Sequence, residues 1–450
     1  MPAPSLVPIL HFADGGTRLL PDGRPPDMPT TFRFVHAADL HLDVPFQGLR
    51  RASPAVTRAL GQAPLVAWDG LVQLTIDQKA AFLLLAGDIC DGAERAVRAH
   101  RRFLEGLQRL CAHGIRTFIV RGDEDPAEQW AGIHRWPDGV HCFGSHDVES
   151  VAITTGGEQM ATIYGLSHSS DRASRCVASF RRGSESGIHI GLLHASVGRT
   201  GDVTPCSHCN HCSISELQAA HMDYWALGHD HRHQGLSQGH PRIVFPGTLQ
   251  GRSLGSDETG PKGAVVVTVT NGVVSDARFH ALDAVRLMTA DVDVSPMTGT
   301  ADVRRALRET TERLRSECTG RSVVACATVR GRGQAWAEAQ PTDGLWELLL
   351  DELRRGNAGE DPFVWWDSVR DMTEAREVRN QNDHSAHVRR LVDALRRTPA
   401  QLDRLLAGHS APLAGTAVLV GQPTRASIEV DDLLTRAERL ALSLLEREEP

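Results

Sequence analysis

The sequence predicts an α/β protein whose chemistry sits at the carboxyl ends of buried strands. Three observations carry that prediction. Short, mainly apolar runs recur at Ala81 to Ala86, which is continuous, and at Ile115 to Val120, Ile188 to Leu193 and Tyr224 to Leu227, and runs of this length read as buried strands. Up to Asp125 they alternate with stretches of helical periodicity, the pattern of a layered α/β unit. Each run also stops at a cluster containing Gly, Asp or His, where ligands bind in such layers.

In chain order, Phe32 to Ala37 is the first strand and runs into Asp39-Leu40-His41. A helix is expected around Leu65 to Gln78, then the strand Ala81 to Ala86, which ends at Gly87-Asp88. Ala93 to His113 has helical periodicity closed by Gly114, and the strand Ile115 to Val120 ends at Arg121-Gly122-Asp123. Val148 to Thr154 and Ala161 to Gly165 read as a hairpin across Gly156-Gly157. Ile188 to Leu193 leads into His194, Ser213 to His221 is helical, and Tyr224 to Leu227 leads into Gly228-His229-Asp230-His231. Strands follow at Arg242 to Phe245, Ala264 to Thr270 and Val273 to Ala281, with turns at Pro246-Gly247 and Asn271-Gly272.

Beyond residue 284 the texture changes. The strand Arg286 to Val294, the helix Val303 to Glu317 and the strand Ser322 to Arg330 make a small β-α-β unit, continued by a helix at Leu345 to Arg355 and a strand at Pro362 to Val369. Val388 to Leu406 and Val430 to Glu446 read as helices on either side of a Gly/Pro-rich linker, Ala407 to Pro423. The expected division is a flexible extension over 1–30, a first domain over 31–283, a small α/β domain over 284–375 and a helical segment over 376–450.

A chain of 450 residues fits two or three domains and a large core. Its nine cysteines are an odd number and mostly scattered, which argues against a disulfide framework. No run approaches the roughly 18 apolar residues of a membrane span, and the start lacks the basic and apolar regions of a signal peptide. The expected location is therefore cytoplasmic, away from membranes. A net charge of −8 excludes a global basic field for nucleic acid. Lys79 and Lys262 are the only lysines, so 46 of the 48 basic residues are arginine, which is most simply the mark of a GC-rich genome. The 22 histidines are a more informative excess, since imidazole is the commonest metal ligand.

Five clusters then carry the chemistry: Asp39-x-His41, Gly87-Asp88-x-x-Asp91, Gly122-Asp123-Glu124-Asp125, His194, and Gly228-His229-x-His231. Any one of them could arise by chance, but five in order at strand ends point to a shared dinuclear metal centre. Carboxylates and imidazoles without thiolate suit Mn²⁺, with Fe²⁺ or Zn²⁺ as alternatives. Two ions need a bridging carboxylate, and Asp88 in the central cluster is the best placed. Asp39, His41 and His231 would complete one ion, and Asp123, His194 and His229 the other. The reaction such a pair supports is hydroxide attack on phosphorus, with the ions neutralising charge on the phosphoryl oxygens.

With those residues in view, the sequence resembles the calcineurin-like metallophosphoesterases, whose pattern is D-x-H, G-D-x-x-D, G-N-H-D/E, H and G-H-x-H. More closely, it is similar to the SbcD/YhaO branch of DNA-repair exonuclease subunits. The stretches that carry the likeness are His36 to Phe46, Asp223 to His229, and Phe245 to Arg252 continuing into Gly260-Pro261-Lys262-Gly263. It runs from about Phe32 to Ala281. The resemblance implies a double-sheet sandwich flanked by helices, two divalent metals and hydrolysis of DNA phosphodiesters. It implies an SbcC-like coiled-coil ATPase as partner and admits a homodimer. It also implies that the small α/β domain caps the active site and that the helical C-terminal segment docks on the ATPase.

The sequence departs from the family at Asp123, where the pattern has Asn, and at Glu124, where it has the catalytic His. Asp123 can still ligate, but with Asp39, Asp88 and a hydroxide it would cancel all four charges of two divalent ions and weaken them as Lewis acids. Beside two cations, Glu124 is expected to stay ionised, below its reference pKa of about 4.3. It could not then donate a proton, and at about 5 Å it would repel a diester by roughly 3 kcal/mol at an effective dielectric near 20. Loss of a general acid costs about 10²–10⁴ in rate. His168, just past the strand ending at Gly165, is the candidate to stand in for it. These changes keep open a catalytically weakened subunit that binds metal and DNA as a scaffold. A phosphoesterase for a small nucleotide is a further alternative.

Cys206-x-x-Cys209-x-x-Cys212 suits a separate zinc or iron–sulfur knuckle, against the alternative of thiols in a loop. Arg50, Arg51 and Arg252 are the candidates to meet DNA phosphates near the site.

Overall fold

The computed structural model describes residues 31–44, 46, 52–92, 96–125, 130, 136–155, 157–169, 177–198, 210–237, 239–331, 345–357 and 361–373. It also describes single positions at 388, 391, 392, 395, 434, 437, 438 and 441. Chain contacts divide the protein into two compact units. One comprises 1–290, 310–326 and 350–368; the other comprises 291–309, 327–349 and 369–450. The expected extension over 1–30 and most of the segment over 376–450 lie outside the described residues.

The first unit is built on two six-stranded sheets. Sheet one contains β1 (Thr31–Ala37), β2 (Phe82–Ala86), β3 (Arg116–Val120), β4 (Val140–Cys142), β13 (Gly263–Thr270) and β14 (Val273–Ala281), in the order β14-β13-β1-β2-β3-β4. Sheet two contains β5 (Glu149–Thr155), β6 (Glu158–Leu166), β7 (Ile188–His194), β10 (Tyr224–Gly228), β11 (Gln234–Ser237) and β12 (Arg242–Phe245), in the order β11-β12-β10-β7-β6-β5. Within sheet one, β1 to β4 run parallel; within sheet two, β6, β7, β10 and β12 do. The parallel strands therefore open their carboxyl ends on the loops that carry the Asp and His clusters.

Alternation along the apolar strands explains the layering. Phe34, Phe82, Leu84, Phe118 and Val120 face Ile163, Ile190, Leu192, Tyr224 and Ala226 between the sheets. The intervening Val35, Leu83, Leu85 and Ile119 point to the other side. There they pack on Trp68 and Leu71 of α1 (Pro54–Asp77) and on Phe103 and Leu107 of α2 (Ala96–Ala112). On the far side of sheet two, Leu193, Trp225, Leu227 and Phe245 are covered by Val177 and Phe180 and by Leu217 of α3 (Ile214–Ala219). The result is the expected helix-flanked double sheet.

The first helix differs from its sequence reading, which began after Pro64. It begins at Pro54, with the Ser53 side chain accepting the Val56 N–H at 3.3 Å, and it runs through Pro64. An interior proline costs about 3 kcal/mol. Here the helix extension buries Val56, Leu60 and Ala63 against Val285, Leu287, Val324 and Trp365, enough apolar surface to offset that cost. The short strands β4, β11, β8 (Ser196–Gly198) and β9 (His211–Ser213) were not legible, being three or four residues long without alternation.

Past residue 284 come β15 (Val285–Asp293), α4 (Thr300–Glu317), β16 (Ser322–Gly331), α5 (Leu345–Gly356) and β17 (Val364–Thr373), with the strands forming a sheet ordered β15-β16-β17. In the first unit, Trp366 is fully buried and its indole N–H donates to Thr311 Oγ1 at 2.9 Å. In the second, the Arg330 guanidinium pairs with Asp291 at 3.1 Å. Among the described residues, no helix is long and apolar enough to cross a membrane.

Candidate metal centre

Every cluster singled out in the sequence follows a parallel strand of the sandwich. Asp39 and His41 follow β1, Asp88 and Asp91 follow β2, and Asp123 to Asp125 follow β3. His194 is the last residue of β7, and His229 and His231 follow β10. Two β1–β2 loop hydrogen bonds set the first pair of clusters side by side, Asp39 N–H to the Gly87 carbonyl and His41 N–H to the Asp88 carbonyl, both at 3.0 Å.

These loops are held in strained backbone. Asp39, His41, Asp88 and His229 all have positive φ, at 52°, 44°, 51° and 105°. Such φ values are uncommon for residues other than glycine and cluster at functional sites. Glycine is needed where the loops meet. A Cβ on Gly87, whose φ is +87°, would stand 2.3 Å from His194 Nδ1, and one on Gly122 would stand 2.1 Å from Asp88 Oδ1.

Three sets of donor atoms converge, each within 4.8 Å: Asp39, His41 and His231; Asp123, His194 and His229; and Asp39, Asp88 and His194. The imidazole protons are assigned by their partners. His194 Nδ1 donates to the Ala86 carbonyl at 2.8 Å, which places Nε2 2.8 Å from Asp123 Oδ1 and 3.4 Å from Asp88 Oδ2. Among the described residues, that buried Nε2 has no hydrogen-bond partner. His41 Nδ1 donates to Asp91 Oδ1 at 2.5 Å and His231 Nδ1 to Glu258 Oε1 at 2.7 Å, so both Nε2 lone pairs face inward, 3.3 Å apart. Two imidazole nitrogens each about 2.1 Å from one ion would lie roughly 3.0–3.4 Å apart. Carboxylate partners on the outer nitrogens are also the usual support of metal-binding histidines. The residues thus fit a pair of divalent cations.

The electrostatics point the same way. Burial, outweighing the pull of His194 and His231, raises Asp39 to about 6, and burial likewise raises Asp91 to about 6 despite Arg252. Burial opposes a charge on His194, but Asp88, Asp123 and Asp39 hold it well above the imidazole range. For Asp123 the close imidazoles of His194 and His229 outweigh burial and hold the carboxyl far below its usual range. Glu124 is pushed up, first by burial and then by Asp91, Asp88 and Asp123. That direction belongs to the protein groups alone, whereas the sequence expectation of an ionised Glu124 was made beside two cations.

A family model described as calcineurin-like phosphoesterase matches residues 32–233, and one described as the middle domain of metallophosphoesterase YhaO matches 288–374. The chain is 32% identical over 349 residues to the uncharacterized metallophosphoesterase YhaO of Bacillus subtilis (strain 168), covering 77% of this chain and 83% of that one. The protein belongs to the calcineurin-like metallophosphoesterase family. Among solved structures it is similar to TT1561 of Thermus thermophilus (TM-score 0.32, 13% identity, 54% of this chain and 99% of that one). It is also similar to a dimetal phosphatase from Danio rerio (TM-score 0.31, 11% identity, 55% of this chain and 98% of that one). Both scores are low, so the family rests on the sequence matches and the fold on the strand order described above.

Several residues of this metallophosphoesterase have roles that the sequence did not suggest. Asp125, fully buried, accepts the backbone N–H groups of Gly122, Asp88 and Ile89 and so ties the β2 and β3 loops together. Glu258 supports His231, and Thr248 donates to the Asp39 carbonyl at 2.6 Å. Lys262 Nζ donates to the His231 carbonyl at 2.9 Å. Arg252, read as a DNA contact, has its guanidinium paired with Asp91 at 3.3 Å and Glu258 at 3.6 Å, and its side chain is only 17% exposed. His168 is anchored through its backbone N–H to the Arg121 carbonyl at 2.9 Å, beside the Gly122 loop, but is not in the three donor sets. Cys212 is buried on β9 with its thiol donating to the Ser196 carbonyl at 3.7 Å. Cys206, Cys209, Arg50 and Arg51 lie outside the described residues.

Proposed function

We propose that this metallophosphoesterase is a two-metal DNA phosphodiesterase, the nuclease subunit of a DNA-processing complex with an SbcC-like ATPase. The convergence of seven donor residues at the carboxyl ends of two facing sheets carries the two-metal part. Asp39, His41 and His231 hold one ion, Asp123, His194 and His229 the other, and Asp88 lies between them. The donor set favours Mn²⁺, with Fe²⁺ or Zn²⁺ as alternatives. Bound there, two divalent ions act as Lewis acids toward the phosphoryl group.

The chain's own part is orientation and charge. The Ala86 carbonyl, Asp91 and Glu258 each bind one imidazole nitrogen and so turn the other inward. The Glu124 backbone N–H donates to Asp88 Oδ1 at 3.1 Å and fixes the shared carboxylate. The DNA part is supported by the likeness of His36 to Phe46, Asp223 to His229 and Phe245 to Arg252 to the SbcD branch. The additional small domain and C-terminal segment also support it, since a small substrate requires neither.

Cleavage of end-labelled linear single- and double-stranded DNA in Mn²⁺, with Asp88→Asn as the blank, tests this. Cleavage that the variant loses is the expected result. No cleavage with two ions bound favours a second reading, a scaffold subunit weakened by Glu124 in place of the family histidine. Cleavage of a chromogenic diester without any of DNA favours a small nucleotide substrate.

A further inference from the structure

Two carboxylates and one guanidinium join the imidazoles of one half of the centre into a closed ring. His41 donates to Asp91 Oδ1, and Asp91 Oδ2 lies 3.3 Å from Arg252 Nη1. Arg252 Nη2 lies 3.6 Å from Glu258 Oε1, which accepts from His231 Nδ1 at 2.7 Å. The inward Nε2 atoms of His231 and His41 close the ring at 3.3 Å. The Arg252 backbone N–H also donates to Glu258 Oε2 at 2.9 Å, and the Asp91 backbone N–H donates to buried Asp43 at 2.8 Å.

The other half is built differently. His194 is fixed by a main-chain carbonyl of β2, and His229 faces Asp123 directly. Neither contact passes through Arg252.

We infer that Arg252 is a positioning residue that sets the affinity of one metal position, that of Asp39, His41 and His231, and leaves the other unaffected. The inference rests on the two-ion reading proposed above. Asp91 and Glu258 are largely buried, with side chains 20% and 11% exposed. Without the guanidinium they would repel each other and release the two imidazoles they orient. The two carboxylates come from separate loops, and a planar fork can pair with both at once. A lysine ammonium is a single point charge and cannot hold both in fixed geometry. Loss of such outer partners typically weakens metal binding 10- to 100-fold.

The test is a Mn²⁺ titration of metal-stripped, full-length protein, with electron spin resonance reporting whether bound ions are exchange-coupled. Wild-type protein is expected to take up two coupled ions. Arg252→Gln, Arg252→Lys and Glu258→Gln should each weaken one ion by at least tenfold and replace the coupled signal by that of an isolated ion. Added to His41→Ala, which already lacks that position, Arg252→Gln should change nothing. Added to Asp123→Ala, it should release the remaining ion. Unchanged two-ion binding in Arg252→Gln or Glu258→Gln proteins that melt like wild type, or equal weakening of both ions, overturns the proposal. Fewer than two ions on the wild-type protein overturns the two-ion reading itself.

Discussion

His41 and His231 face one another through their Nε2 atoms at 3.3 Å, each with its other ring nitrogen against a carboxylate. Two nitrogens at that distance share either a proton, as a hydrogen bond, or a metal ion bound by both lone pairs. The arrangement fits half of a metal site, held by Asp91, Glu258 and a backbone in the left-handed region at His41.

Glu124 is expected to slow the centre. The family places a histidine there, and a glutamate beside Asp88, Asp91 and Asp123 cannot bring the positive charge of an imidazolium to a phosphoryl group. Glu124→His is expected to raise the rate of DNA or diester cleavage at pH 7 by about 10²-fold or more, within the range for a restored general acid. Single-turnover cleavage under saturating Mn²⁺ measures it, and an unchanged rate would mean that another group already serves.

Gly87 separates dihedral strain from lack of space. Gly87→Ala adds a methyl 2.3 Å from His194 Nδ1, whereas Gly114→Ala, at a comparable φ of +71°, meets nothing within 4 Å. Both should lose about 1 kcal/mol to the left-handed backbone. Only Gly87→Ala should also weaken Mn²⁺ binding, by at least tenfold. Thermal melts and metal titrations of the two variants, taken together, check this.

Asp125 is expected to be the most sensitive position that touches no metal. Its carboxylate accepts three backbone N–H groups, and Asn offers one oxygen and turns an NH₂ toward a donor. Asp125→Asn should lower stability by about 2–4 kcal/mol, read as a fall in the urea midpoint.

The pH dependence of stability should carry the signature of His36. This buried imidazole bonds to Tyr224 Oη at 3.1 Å and the Leu227 carbonyl at 3.2 Å, and burial lowers its pKa from 6.5 to about 3. Below pH 6.5 the unfolded chain binds a proton that the folded chain refuses. The folded state is thus fully favoured above 6.5 and loses about 1.4 kcal/mol per pH unit as pH falls toward 3. His36→Asn keeps a donor and an acceptor but does not titrate. Urea denaturation at pH 7, 6 and 5 should show a shallower slope for the variant by about that amount.

The ligand pattern was legible because the fold concentrates it. A strand buried on both faces is mainly apolar, and the polar residues just past its carboxyl end stand out against it. That contrast picked out Asp39, His41, Asp88, Asp123, His194, His229 and His231 before any geometry was known. The supporting groups had no such contrast. Arg252 lies 161 positions from Asp91 in the chain, and nothing local marks it as that residue's partner. With Arg50 and Arg51 it reads instead as a candidate DNA contact near the site. Glu258 sits in a polar loop, where a carboxylate is commonplace. The start of α1 was missed for the opposite reason. Pro64 is a strong local breaker, and only the distant Val285, Val324 and Trp365 show why the helix continues through it.

Anomalous scattering from crystals grown with Mn²⁺ tests the central claim most directly. Two peaks per chain are predicted, one touching Asp39, His41 and His231 and the other Asp123, His194 and His229, with Asp88 between them, and Asp88→Asn should lose at least one. A single peak, or peaks away from these side chains, would contradict the account.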